Sequence, residues 1–380
     1  MLYLAAGYVA FHLGVLLYLR YGISKMTVLP ATRREPAAWP SLTVVFAARN
    51  EADNFRQRGV QVLGLDYPGL QFVFVNDRST DATGSLLDAA GRTDGRVRVV
   101  HVEDLPPGWL GKNHALHQAA AACSSELILF TDADVQIETD FLKRAVLLLE
   151  RQNLDYLTAM ARLWSRSPWA SPVLGSFILG FLVGMRPWLG KNPASRQAIG
   201  IGAFGLVRRQ AYLAAGGHEP IRLRPDDDIR LARWLKQKGL RVDCVFGSPG
   251  VEVEWYETLG SMARGLEKNT LAAGFDYSLV HAAAGLGTQF VTLLLPYALL
   301  LVSSGPAQGL FALSIGFLSL SYATAARKGG VPLWTAGLLP LGVLVIFAIF
   351  LRGIVLTLWR GGICWRDTFY SLEELKKNRL

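Results

Sequence analysis

With 51% hydrophobic residues, a positive mean hydropathy and only 18% charged residues over 380 positions, the chain is too apolar for an ordinary soluble enzyme. Membrane-crossing segments joined to a soluble part fit that balance. The net charge of +9 reads as charge facing an anionic membrane leaflet more than nucleic acid, because Lys and Arg gather beside apolar segments (Arg20, Lys25, Arg33, Arg34, Arg327, Lys328, Lys376, Lys377) and form no basic stripe interleaved with aromatics.

Residues 2–19 carry no charge and are long enough to cross a bilayer, and the basic residues come after the apolar run instead of preceding it. This predicts an uncleaved transmembrane anchor within residues 1–35, with the segment after it in the cytoplasm. Over residues 36–276 short β-branched or aliphatic runs (42–48, 71–77, 97–102, 126–134) alternate with helix-like stretches. That alternation predicts an α/β domain with a Rossmann-like, mostly parallel sheet, whose ligands bind at the carboxyl ends of the strands. Within it, residues 167–186 are almost uncharged and rich in Ser, Pro and Gly. They read as an interfacial or re-entrant segment, since a full crossing would cut the domain in two. Residues 277–360 read as C-terminal transmembrane helices. Tyr277–Ala326 lacks any Asp, Glu, Lys or Arg and is divided by the turn Ser303-Ser304-Gly305-Pro306, and a third apolar run begins near Val331. A basic-aromatic tail, 361–380, closes the chain. One anchor and three later spans would put that tail outside, against the tendency of Arg366, Lys376, Lys377 and Arg379 to stay in the cytoplasm. Cys123, Cys244 and Cys364 are scattered and include no CxxC, as expected in a reducing compartment.

Three strand-like runs end in polar residues: Ala47-Ala48-Arg49-Asn50-Glu51, Asn76-Asp77-Arg78-Ser79-Thr80-Asp81, and Thr131-Asp132-Ala133-Asp134. Asp81 suits an N-cap. Asp132 and Asp134 would face opposite ways on a regular strand, but both reach one region where the backbone turns out of it. Such a pair is either a solvated turn or half of a site for a hard divalent cation, Mg²⁺ or Mn²⁺, completed by phosphate oxygens. Gly111 and Lys112 open a helix, where an anionic diphosphate is favoured. His114 and His117 share a helical face without an evident third ligand, which reads as satisfied or surface histidines. Asp226-Asp227-Asp228 precedes an amphipathic helix ended by Gly239, and three carboxylates exceed what a cap needs.

The ordered set VVFAARNEADNF, FVNDRSTDAT, GWLGKNHAL, LFTDADV, GAFGLVRRQAYLAAGG and DDDIRLARWLKQKG, spanning residues 42–268, resembles the inverting glycosyltransferases of the family-2 type. The resemblance implies a GT-A fold. It also implies that Ala47, Arg49, Asn50, Glu51 and Asp77 hold the nucleotide base and ribose, with Lys112 on the diphosphate. Asp134 would be the direct metal ligand, while Asp132 orients the ribose or acts through the metal's water. Of the acid pair, Asp228 would be the general base and Asp227 its understudy. A proline common before R-N-E is replaced by alanine. Of the Q/R-x-x-R-W stretch of polysaccharide synthases and ceramide glucosyltransferases only Arg264 survives, as a further nucleotide-sugar residue that would meet phosphate, with Gly265 in place of tryptophan, which counts against a polymer-making synthase. The layout resembles ceramide glucosyltransferase and bacterial hopanoid and carotenoid glycosyltransferases, and the tail adds Trp365, Arg366 and Tyr370 as acceptor-side residues or as an interfacial anchor. The implied enzyme is a multi-pass protein of the cell (inner) membrane that transfers a hexose from a nucleotide sugar, UDP-sugar foremost, to a membrane lipid. The alternatives are a polysaccharide synthase or a non-catalytic GT-A scaffold in a membrane complex. A transporter fits poorly, because the apolar segments hold no charged pair.

Overall fold

The computed structural model describes residues 1–31, 36–58, 60–365 and 368–378; Arg33, Arg34, Arg366 and Arg379 lie outside them. In chain order the elements used below are α1 (Leu2–Ser24), β1 (Leu42–Ala48), β2 (Leu70–Asp77), α2 (Thr83–Thr93), β3 (Val97–Val102), α3 (Gly111–Ala122), β4 (Leu127–Phe130), α4 (Thr139–Arg151), β5 (Tyr156–Met160), α5 (Ala170–Met185), β6 (Gly205–Arg208), α6 (Asp227–Gln237), β7 (Val242–Phe246), α7 (Leu259–Ala273), α8 (Leu279–Val302), α9 (Gly305–Gly329), α10 (Leu339–Arg360) and α11 (Leu372–Lys376). They form two compact units, each drawn from three chain segments. A sheet unit takes Thr27–Arg162, Leu189–Val253 and Arg366–Leu380, and a helical unit takes Met1–Met26, Leu163–Trp188 and Glu254–Trp365.

The sheet unit is built on seven strands in the order β3-β2-β1-β4-β6-β5-β7. All neighbours run parallel except β6, which is antiparallel to β4 and β5. The strand order reverses direction at β1, so β1 and β4 part at their carboxyl ends and leave the crevice that ligands of such sheets use. β1, β2 and β4 read as near-continuous apolar runs because both faces are covered. On one face Val45, Val73 and Ile128 join the cluster that holds Ala115 and Ala119 of α3 and Leu231 of α6. The alanines let α3 lie close to the strands. On the sheet also sits an aromatic stack, with the rings of Phe46 and Phe74 4.2 Å apart. Each such buried side chain contributes roughly 1.5–3 kcal/mol. β4 ends at Phe130 rather than running on to Asp134, so Thr131–Asp134 is already turn.

Among the described residues, five helices are long and apolar enough to cross a membrane: Leu2–Ser24, Ala170–Leu189, Leu279–Val302, Gly305–Gly329 and Leu333–Arg360. In the helical unit α1, α8 and α9 are tied through polar groups. Pro296 in α8 has no N–H to offer Thr292 four residues earlier, and a π-helical turn, Phe290–Leu294, runs up to it. The freed carbonyls are taken up by α1. His12 Nε2 lies 2.9 Å from the Thr292 oxygen, and the Tyr8 hydroxyl donates to the Val291 oxygen at 2.9 Å. His12 Nδ1 meets Ser314 Oγ of α9 at 2.6 Å. Small residues set the remaining approaches, as is usual between membrane helices. Gly342 of α10 faces Pro172 and Ser176 of α5, and Gly353 faces Thr270 of α7.

Candidate functional site

Two loops at neighbouring strand ends are latched to each other. Asn50 and Arg78 both adopt left-handed backbone, with φ of 55° and 53°. The turn at Asn50 brings its Oδ1 to the Thr80 N–H at 2.9 Å, while the Ser79 hydroxyl accepts the Asn50 N–H at 3.1 Å. Asp81 lies one residue before the N-cap of α2, which is Ala82, and accepts the N–H groups of Thr83 at 2.9 Å and Ala52 at 3.1 Å. Asp77, paired with Val102 at the tip of β2, is buried and ion-paired to Arg78 at 2.8 Å. Gly111, the first residue of α3, packs directly on that pair. A methyl group there would stand 2.5 Å from Asp77 Oδ2 and 2.6 Å from Arg78 Nη2. Gly111→Ala is therefore expected to cost about 1–3 kcal/mol through overpacking and to disturb Asp77. Thermal unfolding and nucleotide titration of the variant check this.

One residue along, Lys112 joins the other motifs. Its ammonium is 2.9 Å from Asp132 Oδ1 and 3.5 Å from Asp227 Oδ2. Burial works to lower the Lys112 pKa, but Asp132, Asp227 and Asp228 outweigh it and hold it raised. The three aspartates ahead of α6 separate into two roles. Asp226 is consumed by buried arginines: Arg224 reaches it with two contacts, 2.8 and 3.0 Å, and Arg230 with one of 2.9 Å. Asp227 faces Lys112. Asp228 turns into a small cavity also bordered by Tyr156 and His218. There its Oδ2 accepts the Gly202 N–H at 2.8 Å and its Oδ1 accepts the Ile229 N–H at 2.8 Å. Burial, then the adjacent Asp227, push Asp228 up to about 7, against the pull of Lys112. A carboxyl poised there is suited to exchange protons near neutrality.

Thr131 and Asp132 are set by strand pairing. The Thr131 N–H donates to the Val45 oxygen at 3.0 Å and its hydroxyl to the Ala203 oxygen at 2.8 Å. Glycine at 202 lets Asp132 come close, since a Cβ would sit 2.8 Å from its Oδ2. Asp134 is pushed up to about 6 by burial, then by Asp132 and Glu51, with Lys112 opposing. That excess of negative charge, presented as hard oxygens, fits a divalent cation. Among the described residues no group of three or more His, Cys, Asp or Glu could hold a metal, so two carboxylates would need phosphate oxygens to complete the shell. His114 and His117 are not a ligand pair; both rings lie against Trp109, at 5.5 and 5.1 Å.

The structure thus brings together Lys112, Asp132, Asp227 and Asp228, with Glu51 and Asp134 in the same electrostatic field. Ala47 stays in the sheet opposite Val75, and Asn50 works in the loop latch. Tyr370 belongs to the sheet unit, where its hydroxyl lies by the Gly111 backbone. Arg264 and Trp365 belong to the helical unit, Trp365 lying under the Lys268 ammonium at 3.9 Å. Arg366 lies outside the described residues. Gly202, Tyr156 and His218 are site residues that the sequence reading does not reach. The close glycine spacing of Gly200-Ile201-Gly202 is the one available signal, because it marks backbone that must approach another group.

A mostly parallel sheet reversing at β1, with an acidic strand end and a lysine-bearing helix start at its crevice, defines a GT-A domain. Residues 43–211 match the family described as Glycosyl transferase family 2. It is similar to a beta-monoglucosyldiacylglycerol synthase of Nostoc sp., 25% identical over 246 residues, covering 62% of this chain and 49% of that protein. A 4,4'-diaponeurosporenoate glycosyltransferase of Staphylococcus aureus is 24% identical over 218 residues, covering 57% of each. The chain thus spans about half the length of the curated relatives it matches. Among solved structures, a mannosyltransferase from Pyrobaculum calidifontis in complex with GDP-Man and Mn²⁺ has the same fold, with a TM-score of 0.55, 21% identity, and coverage of 89% of this chain and 97% of that one.

Proposed function

We propose that the protein transfers a sugar from a nucleotide-diphosphate sugar to a hydroxyl of a membrane lipid, with inversion at the anomeric carbon. The observation that carries this reading is Asp228, a half-buried carboxyl held by two backbone N–H groups and raised to about 7, next to Lys112 and Asp132. Asp228 takes the proton of the acceptor hydroxyl as that oxygen attacks, and no covalent intermediate is needed. Lys112 moves from the carboxylates to the departing diphosphate, a strong anion at the start of α3. Asp77 and the latched loops at Asn50 and Ser79 hold the nucleoside end. Asp134, with Asp132 beside it, would hold Mg²⁺ or Mn²⁺, which when bound neutralises charge on the leaving diphosphate. The relatives' names, and the Mn²⁺ and GDP-Man of the similar structure, support a lipid acceptor, a metal and a nucleotide donor without choosing between UDP and GDP.

Membrane topology is constrained by chain continuity. Residues on both sides of α5 belong to the sheet unit, which supports an interfacial helix that returns to the side it left. Tyr370 and Asn378 are also folded into the sheet unit, so an even number of crossings lies between Val253 and Thr368. Of the three apolar runs there, two cross. α10 is the one to withdraw: Arg352 sits within it, paired with Glu267 of α7 at 2.9 Å, and its glycines pack along α5 and α7. The basic tail then lies on the catalytic side, the cytoplasm, as positive charge prefers.

Two measurements test the reading. Lipids from cells with and without the gene, compared by mass spectrometry, should differ by one glycosylated species; a ladder of sugars would favour a polysaccharide synthase. Chelation by EDTA should stop transfer and Mn²⁺ or Mg²⁺ restore it, whereas full transfer by Asp134→Ala would overturn the metal assignment. A non-catalytic scaffold would bind neither UDP nor GDP in calorimetry.

A further inference from the structure

The segment after α10 is not a loose tail. From Thr368 it makes a short strand, Thr368–Ser371, then α11, whose Ser371 side chain accepts the Glu374 N–H at 3.1 Å. Tyr370 and Leu375 are buried, at 5% and 0% exposure. Two polar contacts anchor its ends within the sheet unit. The Tyr370 hydroxyl lies by the backbone of Gly111, beside the charges of Asp77 and Arg78. The Asn378 side chain accepts the Leu223 N–H at 3.0 Å and donates to the Pro220 oxygen at 2.9 Å.

Those two anchor points belong to the two pieces of chain that must stay in register for the site. α3 carries Lys112, and the 220–226 stretch leads into Asp227 and Asp228. From inside, they are joined by the Leu110 N–H on the Arg222 oxygen at 2.9 Å, and by Asn113 Nδ2, which donates to the oxygens of Ile221 at 2.9 Å and Arg224 at 3.0 Å. From outside, the strap grips the α3 start with Tyr370 and the 220–223 turn with Asn378. Resting on the reading of this site as a nucleotide-sugar site, we infer that residues 368–378 are a clasp that sets Lys112 against Asp227, with Tyr370 and Asn378 as positioning residues for the donor diphosphate. Such a clasp makes donor binding depend on the segment beyond the last apolar helix.

The test uses the full chain in lipid nanodiscs, as wild type and as Tyr370→Phe, Asn378→Ala and the double variant. The readouts are UDP and GDP binding by calorimetry, the split of donor KM against kcat, and hydrogen exchange. Losing the Asn378 hydrogen bonds or the Tyr370 contact weakens binding several-fold each, so the double variant is expected to bind the nucleoside diphosphate about tenfold more weakly, with donor KM raised and kcat little changed. Exchange should rise together in residues 110–116 and 220–230, and Asn378→Asp, which keeps the acceptor for Leu223, should restore part of the affinity. Unchanged nucleotide affinity in the double variant, or faster exchange confined to the strap itself, would overturn the clasp. If wild type binds neither nucleotide, the donor-site reading fails; exchange still decides whether the strap couples the two segments.

Discussion

Asp228→Asn is expected to lower the transfer rate by about 10²–10⁴-fold while leaving nucleotide binding nearly intact, because it removes the proton acceptor and otherwise gives up only one of its two backbone hydrogen bonds. The pH profile of the wild type carries the same signature. Asp228 is raised to about 7 by burial and by Asp227, so it is protonated and idle below neutrality, and transfer should climb with pH to a plateau above about 7. Stability runs the other way. A carboxyl whose folded pKa lies above its unfolded value binds its proton more tightly when folded. The stability it contributes is fully present below the ordinary carboxylate pKa, near 3.8, and is lost as pH rises through about 7. Removing the charge should therefore raise the melting temperature at neutral pH, while flattening its dependence on pH between those limits. An Asp228→Asn protein that melts lower than wild type at pH 7.5, or transfers at the full rate, would refute the assignment. Few site substitutions are expected to lose activity and gain stability together, and that combination separates a strained reactive group from a structural one.

How far the sequence reached can be judged residue by residue. The alternation of apolar runs and helix-like stretches was enough for a mostly parallel sheet, since strands covered on both faces must be apolar throughout. The polar exit of the fourth strand was legible, because two carboxylates cannot lie inside a buried strand, but its stop at Phe130, four residues before Asp134, was not. Lys112 was legible as a cation at a helix start, but its resting partners were not. Nothing in the local pattern announces that Asp132 and Asp227, 95 positions apart, share one ammonium. The antiparallel β6 was not legible either. Its register brings Gly205 opposite Phe130 and carries Gly202 to Asp228, a consequence of pairing between distant segments rather than of propensity. The sidedness of the tail was insoluble from hydropathy alone, because counting apolar runs treats every one of them as a crossing. It becomes tractable once Tyr370 and Asn378 are seen within the sheet unit.

The run Asp226-Asp227-Asp228 shows what separates the two kinds of carboxylate, and Asp226→Ala is expected to have the largest effect on stability of any change in it. In sequence the three look alike, and the first stands at the N-cap of α6, where an aspartate would ordinarily accept a backbone N–H. Asp226 makes no such side-chain cap. It is 1% exposed, and Arg224 at 0% and Arg230 at 7% both close on it. Burial alone would raise its pKa, but the two guanidiniums outweigh that and hold it below the ordinary carboxylate range. Taking away one member of such a buried ion cluster costs about 3–5 kcal/mol, because the charges left behind stay desolvated without their counter-ion. That is a large share of the ~5–15 kcal/mol that holds an ordinary domain together. Asp226→Ala should therefore melt well below wild type, losing activity through the fold and not through chemistry, and Asp226→Asn should fall between, since it keeps the volume and gives up the charge. A melting temperature for Asp226→Ala within a degree of wild type would mean that the cluster is solvated and that Asp226 is free to serve the reaction. The opposite stability shifts expected of Asp226→Ala and Asp228→Asn, two residues apart on one helix start, make the pair a sharper test than either alone: the first carboxylate holds the helix so that the third can be held in an environment that disfavours its charge.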